Sequence, residues 1–375
     1  MKQTRLVGAH IRSTIIGILI LGVTACAVAP TAPPKPQEIP VFPPPPERAR
    51  FIYERSIYSS ADVIRDDGKT DFRRLVTGER KVGEGLAKPY GIAVRHGRVF
   101  VTDSVKRVVM VFDFPKGRYF EIGTQAEGGL HLPLGVDVDA AGNIYVSDGG
   151  THRVGVYAPD GKFLRTLGNQ QILKRPAGIA VDPAGTRVYV VDIGGIDSMD
   201  HGVRVLDANT GALLSNIGKR GDGPGEFNLP RDVAVGKDGL LYIVDGGNFR
   251  IQVMRPDGSF VRNFGAVGRQ GGQFSRPKEI AIDNAGNVYV VDAAFGNFQI
   301  FTPDGKLLLD VGGRSNSDGP AKFMLPSGIA VDEDGRVYVV DQYFRKVDIF
   351  RPAELDPDAG FLGRPVATDK RPPGK

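Results

Sequence analysis

The chain has 375 residues, of which 24% are charged, a formal net charge of +5, one cysteine and no tryptophan. A single cysteine excludes a disulfide framework. A charge this close to balance argues against bulk nucleic-acid binding, which needs a basic stripe.

In chain order, the first element is a processing segment rather than part of the fold. Lys2, Arg5 and Arg12 precede an apolar run, Ile15–Val23, that is too short to span a bilayer. Val23-Thr24-Ala25-Cys26 then resembles the lipobox of bacterial lipoproteins. That resemblance implies cleavage before Cys26 and acylation of Cys26, which becomes a membrane anchor. An ordinary secretory signal with a chance cysteine is the alternative. Removal of residues 1–25 takes away three basic groups and no acid and leaves a net charge of +2. Ala27 after the cysteine, rather than an Asp, leads to the expectation of an exported protein held at an outer membrane. Residues 26–49 read as the acylated cysteine and a proline-rich spacer ending in Pro43-Pro44-Pro45-Pro46. As polyproline II it would reach on the order of 50 Å.

From residue 50 onward one phrase returns six times: a proline, a short apolar strand, a turn, and a second strand closed by aspartate. The prolines are Pro89, Pro133, Pro176, Pro230, Pro277 and Pro326, and the aspartates are Asp103, Asp148, Asp192, Asp245, Asp292 and Asp341. Successive copies lie 43 to 54 residues apart. That period predicts one four-stranded blade per copy and a six-bladed β-propeller, all-β, with antiparallel blades. In the fourth copy, Asp232–Val235 is the innermost strand, Leu240–Val244 the second, Arg250–Met254 the third and Ser259–Phe264 the outer. Gly-containing turns such as Asp257-Gly258 join them. The sixth copy lacks a fourth strand, and a spare one sits at Arg50–Ser59. It is expected to complete the last blade and remove the open edge. The propeller therefore reads as 50–352, and 353–375, rich in Pro, Asp and Gly, as a disordered tail.

Pro89-Tyr90-Gly91-Ile92-Ala93-Val94, residues 176–182 and 326–332, and the Gly-rich stretch 221–230 are similar to NHL repeats. The resemblance covers about residues 80–350. It implies a platform for protein contacts more often than an enzyme, although some animal members bind single-stranded RNA and a few relatives are enzymes.

Candidate functional residues are those that break the repeat. Where other copies have x-Gly after the proline, blade four has Arg231-Asp232 and blade five Lys278-Glu279. These residues are expected at the upper mouth of the central channel, as a recognition site or as mutually neutralised charges. Tyr90 and Arg175 are expected to join them. The insertion in blade three gathers Asp192, Asp197, Asp200 and His201, donors that would suit Ca²⁺ or Zn²⁺. A plain polar turn is the other reading, and no cofactor is expected. The repeated closing aspartates read as structural, because a short carboxylate at a turn accepts backbone N–H bonds. His131 sits near where related amidating lyases place zinc-binding histidines, but one histidine does not make a three-histidine site.

Two functions follow as expectations. The first is an envelope scaffold that binds a protein or peptide on its upper face, held to the membrane by its lipid and without a nucleic-acid partner. The second is a metal-assisted lyase or lactonase at the channel mouth, with Asp232 and Glu279 as ligands or bases.

Overall fold

The computed structural model describes residues 38–64, 82–195 and 197–363. The signal segment, Cys26 and residues 364–375 lie outside the described residues.

Six antiparallel sheets form the ring, each counted from its inner strand outward. The inner strands are Pro89–Arg95, Pro133–Val138, Pro176–Val181, Pro230–Val235, Pro277–Ile282 and Pro326–Val331. Each opens on its proline, a residue tolerated at the first position of a strand because no ladder donor is needed there. In each, the register with the second strand slips two or three residues after the proline. The second strands, such as Leu241–Asp245, are buried along their length apart from the leading Arg98 and Arg187 in two of them. They read as unbroken apolar runs because neighbouring blades cover both faces. The outer strands edge solvent, and Leu213–Ile217 is exposed at four of its five positions.

The core follows from that arrangement. Six apolar clusters lie one at each junction between adjacent blades. The junction of blades six and one buries Ile57, Val99, Met110, Phe112, Tyr338 and Ile349 together.

Ring closure is as the strand count predicts. Phe51–Ile57 pairs antiparallel with Lys346–Pro352 as the fourth strand of blade six, in the register Phe51↔Pro352 to Ile57↔Val347. A buried ion pair pins it, with Arg336 Nε donating to Glu54 Oε2 at 2.8 Å.

Two boundaries shift outward. The proline-rich segment is not all spacer: Val41–Phe42 adds a fifth strand beside Phe51–Ile57, and the Phe42 ring packs edge-on against Phe350 at 6.0 Å. The packing of Phe42 on Phe350 holds this extended stretch against the sheet. The expected tail also begins later than residue 353. Ala353 N–H bonds to Arg50 O at 2.7 Å, Arg336 reaches Ala359 O at 3.0 Å, and Leu362 is buried in the cluster that joins blades six and one.

The closing aspartates hold the turns. Asp103 accepts N–H bonds from Ala87, Lys88, Val105 and Lys106, and Asp341 from Met324, Leu325, Tyr343 and Phe344. Asp148, Asp192, Asp245 and Asp292 likewise cap the chain entering their own blades.

Candidate functional site

The upper face is the end of the ring at which the inner strands begin. The third residue of each inner strand is Gly91, Gly135, Gly178, Asp232, Glu279 and Gly328 in turn. All six blade junctions are bridged by polar side chains near this level. Thr102 accepts from Gly91 N–H at 2.8 Å and donates to Leu134 O at 2.6 Å. Ser147 makes the same pair of bonds with Gly135 and Ala177, and Ser327 donates to Tyr90 O at 2.8 Å. The two acids serve the other junctions. Asp232 accepts from Ile280 N–H at 3.0 Å and from Ile179. Glu279 accepts from Ile329 N–H at 3.2 Å and from Ile92.

The glycines are glycines because of these neighbours. A Cβ on Gly178 would meet Asp232 Oδ1 at 2.1 Å, and one on Gly91 would meet Leu134 O at 2.4 Å. The channel is therefore drawn tight at this level. Below it a cavity of about 390 Å³ runs down to Arg95, Ala140 and Pro183 at the far ends of the inner strands. Asp232 and Glu279 are its ceiling and open toward the lower face, which corrects the expectation that they stand at the upper mouth.

Burial dominates their electrostatics. It pushes the Asp232 carboxyl up to about 7 and Glu279 well above the usual carboxylate range, against the pull of the N–H donors. Neighbouring acids add to the effect of burial: Asp232 raises Glu279, and Asp137 raises Asp232. Asp137 is a third channel acid, pushed up to about 6 by burial, and its Oδ2 accepts Val181 N–H at 2.8 Å. Sequence reasoning missed it, although the signal was present: it replaces the alanine found at that position in the other five inner strands.

Above the acids sits a group of cations. Tyr90, Arg231 and Lys278 occupy the second position of their inner strands and are half-buried. Arg276, exposed and just before Pro277, joins them. Burial lowers Lys278 to about 8, helped by Arg231 and Arg276 and opposed by Glu279. Burial likewise raises Tyr90 to about 12, with Glu279, Arg231, Asp232 and Arg276 all acting on it. Arg175, also expected here, is exposed at the start of blade three and is not among the groups acting on Lys278 or Tyr90. Exposed apolar side chains stand on the loops of the same face, among them Val105, Leu132, Met199 and Tyr343, the last 60% exposed.

The blade-three insertion does not assemble a ligand set. Asp192 spends its carboxylate on the N–H groups of Lys174, Arg175 and Gly194. His201 is fully buried, its Nδ1 accepting from Leu229 N–H at 3.2 Å and its Nε2 facing Gly195 O at 3.3 Å. With Nδ1 accepting, Nε2 is the nitrogen placed to donate to Gly195 O. Asp197 and Asp200 are exposed. Among the described residues no group of three or more His, Cys, Asp or Glu is placed to hold one metal ion. His131 is exposed, and its backbone N–H is bound to Asp148.

Residues 130–157 and 227–254, the three inner strands of blades two and four, match the family model for the NHL repeat. The ring carries NHL repeats. NHL repeat-containing protein 3 of Homo sapiens is 32% identical over 130 residues, which are 31% of this chain and 36% of that protein. The match thus spans about a third of the curated relative. Among solved structures, a streptogramin B lyase superposes with a TM-score of 0.52 at 16% identity, covering 71% of this chain and 94% of its own. A gluconolactonase from Xanthomonas campestris gives 0.54 at 17%, covering 71% and 86%. A protein of unknown function from Bacteroides thetaiotaomicron gives 0.57 at 16%, covering 80% and 75%. At these identities the likeness of the NHL ring to them is one of fold.

Proposed function

We propose that the chain is an exported, lipid-anchored scaffold whose upper face binds a protein or peptide of the cell envelope. The observation that carries this reading is the composition of that face. Arg231, Arg276 and Lys278 cluster at its centre with Tyr90, and exposed apolar loops surround them. Loops on a rigid ring are where binding residues concentrate, and an apolar surround with a charged centre suits a macromolecular partner. The anchor rests on the lipobox resemblance at Cys26, and the envelope location follows from it.

The test is capture from an envelope extract by the wild-type chain and by variants. Arg231→Glu/Lys278→Glu and Val105→Glu/Met199→Glu/Tyr343→Glu are each expected to lose the captured protein, while Leu308→Glu on an outer strand keeps it. Equal capture by all four chains sinks the proposal.

The second reading, a metal-assisted lyase or lactonase, has one observation in its favour: Asp232 and Glu279 are adjacent buried carboxyls at the head of a cavity. Their oxygens, however, already accept backbone N–H bonds from four inner strands, so the donor set fits a junction better than a metal. Calorimetric titration with Ca²⁺ separates the two. Stoichiometric binding that disappears in Asp232→Ala/Glu279→Ala favours the enzyme.

A further inference from the structure

We infer that the upper mouth recognises carboxylates, so that the segment it binds is an acidic peptide stretch; this rests on the scaffold reading of the same face. The argument starts from what the cations lack. Among the described residues, Arg231, Arg276 and Lys278 form no ion pair, whereas other basic side chains such as Arg118, Arg250, Arg336 and Lys346 are paired with carboxylates. Arg231 and Arg276 both lie close enough to Lys278 to act on it, and a fold tolerates such like charges where an anion arrives from outside.

The nearest internal acids do not serve. Asp232 and Glu279 lie just beneath, but their oxygens are committed to the N–H groups of Ile280, Ile179, Ile329 and Ile92. They face the cavity that opens on the opposite side. Their burial favours the uncharged form, so Glu279 offsets the positive charge above it only in part. The chemistry of the cluster then selects the ligand. Two guanidinium groups offer planar forks that match carboxylate oxygens, and Lys278 adds a point charge. The Tyr90 hydroxyl keeps its proton and remains a donor. A nucleic-acid strand would need a basic track along its length rather than a cluster at the mouth.

The experiment titrates the full chain with hexaglutamate, hexaglutamine, citrate and hexathymidylate. Hexaglutamate is expected to bind, to weaken as salt rises, and to lose at least tenfold in affinity in the Arg231→Gln/Arg276→Gln/Lys278→Gln variant. Citrate is expected to compete with it at the same site, more weakly. Hexaglutamine is expected not to bind. Equal binding of hexaglutamate and hexaglutamine, an unchanged affinity in the triple variant, or tighter binding of hexathymidylate overturns the inference. Should the triple variant not fold, the salt dependence and the hexaglutamine comparison on the wild-type chain decide. Envelope capture keeps the two ideas apart. A partner retained by the triple variant removes the carboxylate inference and leaves the scaffold. Hexaglutamate bound without any captured protein removes the scaffold and leaves the anion site.

Discussion

Asp232 occupies a position where four of the six inner strands have glycine, and its carboxyl is drawn into the space those glycines leave. Because its folded value is raised to about 7, the folded state holds a proton that the unfolded chain releases near pH 4. Its contribution to stability is full below pH 4 and is lost as pH rises through about 7. Asp137 acts in the same direction up to about 6, and Glu279 is raised as well. The thermal midpoint should therefore fall between pH 4.5 and 8, and the fall should be smaller in Asp232→Asn. Equal slopes for the two proteins would remove Asp232 from the account. Gly178→Ala should cost about 1–3 kcal/mol, because its Cβ meets both the Asp232 carboxylate and backbone that has no room to move. Lys278, lowered to about 8 by burial with Arg231 and Arg276 adding and Glu279 opposing, should lose its charge on the way to pH 9. Hexaglutamate affinity should weaken over that interval, as read by titration at several pH values. At this scale Asp232 and Glu279 were legible, since each breaks a repeated x-Gly. Arg276 was not, because the residue before the proline is basic in three copies, Lys88, Arg175 and Arg276, and nothing sets the third apart. Of the blade-three donors, Asp192 and His201 are claimed by backbone N–H groups that a count of oxygens and imidazoles does not include, while Asp197 and Asp200 are exposed.

The closing strand shows how unequal two ion pairs can be. Arg336 and Glu54 are almost wholly buried, and removing one partner strands the other away from water. Glu54→Ala is expected to cost about 3–5 kcal/mol, read from the denaturant midpoint. Arg48 and Glu354, 85% and 80% exposed, meet at a similar 2.9 Å, yet Arg48→Ala should change stability by about 0–1 kcal/mol. Deleting 364–375 should leave the midpoint where it is, while deleting 39–57 should prevent closure. The blades themselves were readable from the repeated strand-turn-strand phrase and from the missing fourth strand in the last copy. The docked stretches at Ile39–Ala49 and 353–363 were not, because proline, aspartate and glycine set the local preference. The contacts that overrule it, Phe42 on Phe350 and Leu362 in the junction cluster, join residues far apart in sequence.

For the molecule as a whole, the proposed lipid anchor makes a separate prediction. Cys26→Ser should move the protein from the membrane fraction to the soluble one without altering its thermal midpoint. A variant that still sediments with membranes would mean that another part of the chain holds it there. The ring has its own consequence in time. Glu54 and Arg336, which close it, are 282 residues apart in sequence. At ordinary rates of synthesis the partner of Phe51–Ile57 emerges roughly 15–60 s after that strand does. Through that interval the first strand made waits for the last, with its hydrogen-bonding edge unoccupied and the cluster between blades six and one not yet formed. Blades two to five can mature while it waits, but the circle is completed only by the final stretch of chain. Truncated products should therefore be open, adhesive and quickly degraded.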